Sequence, residues 1–198
     1  MPEPTIEQPK PLKVLLESLL FVAEGPVAMS ALAQAVDAKP EQIELALDEL
    51  KRDYEGRGFR LQRARDKVQL VTAPDCALAI EKFLGVSGSA HLSAAAFETV
   101  AIIAYRQPVT RPAIEAVRGV NCDGVIHSLL ARGLIEEVGR QETAGRPILY
   151  ATTFEFLQNF GLRGVDELPP LEQAAENQLA EAVAHADAVA QHVAERMK

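Results

Sequence analysis

The 198-residue chain has no tryptophan, three tyrosines and two cysteines, and it lacks any uninterrupted apolar run long enough to cross a membrane. A spanning helix needs roughly 20 apolar residues, and the most apolar stretch, 14–23, is interrupted by Glu17 and Ser18. The first eleven residues, MPEPTIEQPKP, are acidic and proline-rich where a secretion signal is basic and then apolar. These absences lead us to expect a soluble cytoplasmic protein with no membrane partner. In that compartment Cys76 and Cys122 are expected as reduced thiols.

Recognisable catalytic parts are missing too. The chain contains no GxxxxGK[ST] phosphate loop, GxGxxG, CxxC, HExxH or GxSxG motif. Its four histidines, His91, His127, His185 and His192, stand apart from any cysteine or carboxylate at ligand spacing. The acidic pairs Asp48-Glu49, Glu136-Glu137 and Asp166-Glu167 are immediate neighbours, so their side chains point apart in a helix or strand and cannot share a substrate. No metal, no cofactor and no catalytic residue is assigned, and a non-enzyme is expected.

The net charge of −8 is unevenly spread. Residues 12–85 hold 10 basic and 12 acidic side chains and residues 92–164 hold 7 of each, whereas 165–198 hold 2 basic and 7 acidic. Neither body carries the one-sided positive field of a protein held chiefly by phosphates.

What is present is organised around residues 93–152. Ser93 suits an N-cap, and Phe97, Val100, Ala101, Ile103 and Ala104 recur at helical spacing until Gln107-Pro108. Thr110, Pro112 and Gly119 bracket a short second helix, and Asn121 and Gly133 bracket a third. β-prone arms at 134–139 and 148–152 surround a polar loop with Gly145 and Pro147. Three helices followed by a hairpin is the winged-helix order, a relative of the helix-turn-helix. The same order precedes it: helices over 12–23, 30–36 and 40–55, strands over 59–65 and 67–72, and a closing helix over 74–84. An offset of 82 residues lays Pro26-Val27 on Pro108-Val109 and Ala31-Leu32 on Ala113-Ile114.

The expected fold class is therefore mainly α with small β-hairpins (α+β), as two tandem winged-helix domains. The expected boundaries are a disordered leader at 1–11, a first domain at 12–85, a flexible linker at 86–91, a second domain at 92–164 and an acidic, alanine-rich mobile tail at 165–198. Within the tail, Leu179, Val183, Ala186, Ala190, Val193 and Met197 form a heptad-like seam of small residues, too weak for a firm coiled coil, so disorder or a marginal helix that orders on a partner is expected.

Winged helices commonly read DNA with the third helix. Here the first copy's third helix, 40–55, sets six acids against Lys51 and Arg52, and the second copy's has Arg132 as its only formal cation. A DNA-binding transcriptional regulator is thus the alternative rather than the first reading, and at most weak nonspecific DNA contact through Arg140 and Arg146 is expected. The leading helices favour an interaction module instead. Helix 12–23 is apolar almost all round, which argues for burial on two sides. Beside the second leading helix, Arg106, Gln107, Arg111, Glu115, Arg118 and Asn121 could rim an apolar contact.

Together, LSAAAFETVAIIAYRQPVTRPAIEAVRGVNCDGVIHSLLARGLIEEVGR, the TAGRPILYATTFEFLQNFG segment and LPPL closely resemble the segregation and condensation protein B family. The resemblance implies two winged-helix domains, no enzymatic activity, and a homodimer formed through the first domain. It further implies a kleisin partner, segregation and condensation protein A (ScpA), wrapped across the dimer, with the SMC ATPase reached through that kleisin. Such an adaptor acts in chromosome condensation and segregation at the nucleoid. Residues expected to meet the kleisin are Tyr105, Arg106, Gln107, Arg111, Glu115, Arg118, Asp123, Arg140 and Arg146; those expected to dimerise are Leu12, Leu15, Leu16, Leu19, Leu20 and Val22.

Overall fold

The computed structural model describes residues 10–85, 92–143 and 145–196. The expected linker 86–91 and all but the last two residues of the expected leader lie outside the described residues. Two compact units are present, Met1–Val86 and Ser87–Lys198.

The first unit begins with α1 (Leu12–Val22), followed by the two-residue strand β1 (Val27–Ala28), α2 (Met29–Ala35) and α3 (Pro40–Asp53). Pro40 opens α3 where a missing amide costs nothing, and the Lys39 amide donates to Gln42 Oε1 at 2.9 Å. Ile43, Ala46, Leu47 and Leu50 then recur at i, i+3, i+4 and i+7, so one stripe of α3 meets Leu16 and Leu20 of α1 and Leu32 of α2. Burying each large aliphatic side chain contributes about 1.5–3 kcal/mol. At the rim of this contact, Lys13 Nζ meets Asp53 Oδ2 at 2.7 Å and the Tyr54 hydroxyl donates to Glu17 Oε1 at 2.7 Å. Strands β2 (Phe59–Ala64) and β3 (Lys67–Thr72) form the hairpin, with Leu61 opposite Leu70, and β1 adds to its free edge through Val27 opposite Val68. A turn of 3-10 helix then leads into α4 (Ala77–Leu84), which ends at Gly85 in the left-handed conformation, φ +67°.

The second unit repeats the plan. Ser93 Oγ caps α5 (Ala94–Arg106) by accepting from the Ala96 amide at 3.2 Å, and Thr110 Oγ1 caps α6 (Arg111–Arg118) from the Ala113 amide. Strand β4 (Val109–Thr110) precedes α6, and α7 (Asp123–Ala131) leads to β5 (Ile135–Arg140) and β6 (Ile148–Thr152). Strand order is β1-β3-β2 in the first unit and β4-β6-β5 in the second, antiparallel throughout. Thr153 Oγ1 caps α8 (Phe154–Phe160) by accepting from the Phe156 amide at 3.2 Å. The 82-residue offset carries Leu32 onto Ile114 and Leu47 onto Leu129, all four fully buried. It fails beyond that point because α7 has 9 residues where α3 has 14.

Two details differ from the sequence reading. Asn121 does not occupy the cap of α7; that position is Cys122, and Asn121 Oδ1 instead accepts from the Asp123 amide at 3.1 Å in the turn before it. The short strands β1 and β4 were not expected. Residues 165–196 are the expected tail, whose alanine-rich part reads in sequence as a mobile or marginal helix that orders on a partner surface. They form a 3-10 turn (Val165–Glu167), held where Glu167 accepts from the Arg163 amide and Nε, and then the 24-residue helix α9 (Gln173–Arg196) alongside α6. The small-residue seam is what turns inward: Leu179 is buried and Val183 and Ala186 are half-buried, so α6 supplies the facing surface that an isolated alanine-rich helix lacks. Ala190, Val193 and Met197 of the seam have side chains outside the described set. Cys76 and Cys122 are both free thiols.

Candidate partner-binding surfaces

The last turn of α5 places Tyr105, Arg106 and Gln107 side by side, but their contacts differ. Gln107 turns inward: its Oε1 accepts from the Thr152 amide at 2.8 Å and the Thr152 hydroxyl at 2.9 Å, and its Nε2 donates to the Ala104 carbonyl at 3.1 Å. It ties α5 to β6 and has little left to offer a partner. Tyr105 and Arg106 reach toward the chain's own following segment. The Tyr105 hydroxyl donates to the Pro169 carbonyl at 2.6 Å, and Arg106 Nη2 donates to the Glu176 carbonyl at 2.7 Å. Between them lies a cavity of about 460 Å³ lined by Tyr105, Arg106, Val165, Leu168, Pro169 and Leu171 among others.

A second group lies on α6 and the start of α7. Arg111 pairs closely with Asp123 and more loosely with Glu115, 3.9 Å away; the hydrogen bond to Asp123 raises the Arg111 pKa further above its ordinary value. Glu115 Oε1 also accepts from the Cys122 amide at 3.0 Å, so it props the α6–α7 turn. Arg118 bonds Glu98 at 3.2 Å and Cys122 Sγ at 3.5 Å, leaving its side chain only 11% exposed. Burial opposes its charge, but these bonds outweigh burial and its pKa is raised. Arg140 joins this neighbourhood through Tyr150, whose hydroxyl feels Glu137, Arg111, Asp123 and Arg140 together; burial first and Glu137 second raise its pKa. Arg146 sits at the wing tip at φ +41°, where its carbonyl accepts from Arg140 and its side chain meets Glu142 at 3.4 Å. The structure thus separates the nine residues into an α5 end, an α6–α7–wing cluster, and two residues, Gln107 and Arg118, engaged mainly in holding the fold.

In the first unit the expected dimerisation residues also divide. Leu16 and Leu20 are in the core and Leu12 and Leu19 pack against it, so these four are not a free face. Leu16 is fully buried because α1 faces α3 on that side. Leu15 and Val22 are exposed. Further exposed apolar area lies on α4, which the sequence reading did not single out: Leu78 and Phe83 are 82% and 88% exposed, while Phe21 of the apolar helix α1 is 79% exposed. Its sequence signal was the Lys82-Phe83-Leu84-Gly85 ending, apolar residues in a helix too short to bury them.

Arg63 of the first hairpin is held by Glu44 at 2.8 Å and Asp48 at 3.2 Å on α3, so acid predominates where a reading helix would present cations. Among the described residues no three His, Cys, Asp or Glu side chains are grouped to hold a metal ion, and no helix is long and apolar enough to cross a membrane.

Two successive three-helix units, each closed by a three-stranded antiparallel sheet and each with surfaces suited to protein contact, define a tandem winged-helix interaction protein. Residues 14–171 match the family described as segregation and condensation complex subunit ScpB, and the chain belongs to that family. Segregation and condensation protein B of Desulforamulus reducens is 51% identical over 164 residues, covering 81% of this chain and 90% of that protein. The crystal structure of ScpB from Mycobacterium tuberculosis is 40% identical and covers 76% of this chain and 95% of its own, with a TM-score of 0.37. A crystal structure of a dimer of the ScpB N-terminal domain complexed with a ScpA peptide is 24% identical, covers 41% of this chain and all of its own, and has a TM-score of 0.37.

Proposed function

We propose that the chain is a non-catalytic adaptor of the SMC–kleisin complex, working at the nucleoid in chromosome condensation and segregation. Two copies pair through the first unit, the second unit holds the kleisin ScpA, and SMC is reached only through that kleisin. The observation that carries this reading is the family match, which spans both units without interruption and stops before α9. Two features of the surface support it. Leu78, Phe83 and Phe21 leave large apolar groups in water on a unit of about 86 residues, and their burial against a second copy would contribute about 1.5–3 kcal/mol each. In the second unit, Arg111, Asp123 and Arg140 place charges of both signs close together, which suits orienting a protein partner better than gripping a polyanion.

The reading is tested by isolating the tagged chain from its source cell in nuclease-treated lysate. ScpA is expected to co-purify, SMC to be lost when ScpA is depleted, and a fluorescent fusion to follow the nucleoid. Recovery of the chain without ScpA would contradict it.

A further inference from the structure

The family match ends at residue 171 and α9 begins at Gln173, so α9 lies outside the matched segment. Its course follows the surface assigned above to the kleisin. At one end Arg106 Nη2 donates to the Glu176 carbonyl at 2.7 Å; at the other, Gln141 Nε2, just past β5, donates to Asp187 Oδ1 at 3.2 Å. These two points are about 16 Å apart along the helix at 1.5 Å per residue. Between them α9 runs beside α6, the helix that carries Arg111.

We propose that α9 is a cover acting in cis, occupying the α5–α6 face until an amphipathic helical segment of the kleisin displaces it. The proposal rests on the reading of the second unit as the kleisin-binding unit and adds how that site is regulated. The way α9 is held suits such exchange. Leu179 is its one buried side chain among those described, with Val183 and Ala186 half-buried behind it. Of the two polar anchors among the described residues, the one at Arg106 is made to a main-chain carbonyl, which any helix supplies. An alanine-rich helix released from this face gains back its conformational freedom and is only marginally stable alone. The face therefore selects a helix with short apolar residues at i, i+4 and i+7, the spacing of Leu179, Val183 and Ala186, that can place a carbonyl beneath Arg106. While α9 occupies it, the apparent affinity for the kleisin is lowered in proportion to the fraction of molecules left uncovered.

Hydrogen–deuterium exchange on the full-length chain, with and without saturating purified ScpA, tests this. Displacement predicts that α9 amides exchange at least about tenfold faster in the complex while α6 amides slow. Leu179→Glu, and independently Val183→Glu, should bind ScpA roughly tenfold more tightly with the thermal unfolding of the two units unchanged. Protection of α9 that persists at saturation, or variants that bind no more tightly, would overturn the cover while leaving the kleisin site standing. Failure of the wild type and both variants alike to bind ScpA would instead remove the kleisin site, and the cover with it.

Discussion

Gln107 Oε1 accepts two hydrogen bonds from the single residue Thr152, one from its amide and one from its hydroxyl. The pair fastens the end of α5 to the last residue of β6. Gln107→Ala would remove the acceptor that both Thr152 donors share, and losing hydrogen bonds at a buried residue costs about 1–3 kcal/mol. The expected outcome in urea denaturation is a loss of that size with an unchanged m value, while ScpA affinity measured below the transition stays within about twofold, since Gln107 faces the fold.

Self-association separates the core leucines from the exposed apolar groups. Leu78→Asp with Phe83→Asp is expected to shift the chain to monomer in sedimentation velocity while leaving its melting temperature nearly unchanged, because neither side chain is in the core. Leu16→Ala should do the reverse, costing about 2–5 kcal/mol of stability through an unfilled core. Equal sedimentation of the double variant and the wild type would remove α4 from the interface.

Arg111 and Asp123 form an exposed pair at the mouth of α7. Exposed pairs contribute about 0–1 kcal/mol to stability, so Arg111→Glu should unfold at nearly the wild-type denaturant concentration. ScpA binding by the same variant should fall at least about tenfold and depend less on salt. Unchanged affinity, measured by titration calorimetry at two ionic strengths, would place the kleisin elsewhere.

Tyr54 and Tyr150 supply a test at alkaline pH. Burial first, and then the hydrogen bond to Glu17, raise the Tyr54 pKa above its ordinary 10.0; burial and Glu137 raise that of Tyr150. A group whose pKa is raised on folding holds its proton longer in the folded state, so its contribution is intact below pH 10.0 and is lost as pH climbs through the higher folded value. Unfolding free energies from chemical denaturation should therefore be flat from pH 8 to near 10 in respect of these groups and decline above it. Tyr54→Phe should lessen the decline.

Local chemistry made much of this legible in the sequence. Ser93, Thr110 and Gly119 act within one turn of their own position, so their capping roles could be read directly, and the 82-residue repeat followed from residues such as Leu32 and Ile114 that do the same work in both units. Long-range partners were not legible. β1 and β4 are two residues each, too short for any periodicity, and exist only because β3 and β6 offer a free edge. Helix 12–22 is apolar around most of its circumference, so nothing in it said that Leu16 faces α3 while Phe21 faces water. The seam of α9 was visible, but the surface it meets lies on α6, more than fifty residues earlier in the chain.

Paired action as a kleisin adaptor is measured by light scattering during size-exclusion chromatography with purified ScpA. The prediction is a single peak containing ScpA and two copies of the 21.5 kDa chain. A peak at 21.5 kDa, unmoved by any amount of ScpA, would contradict it.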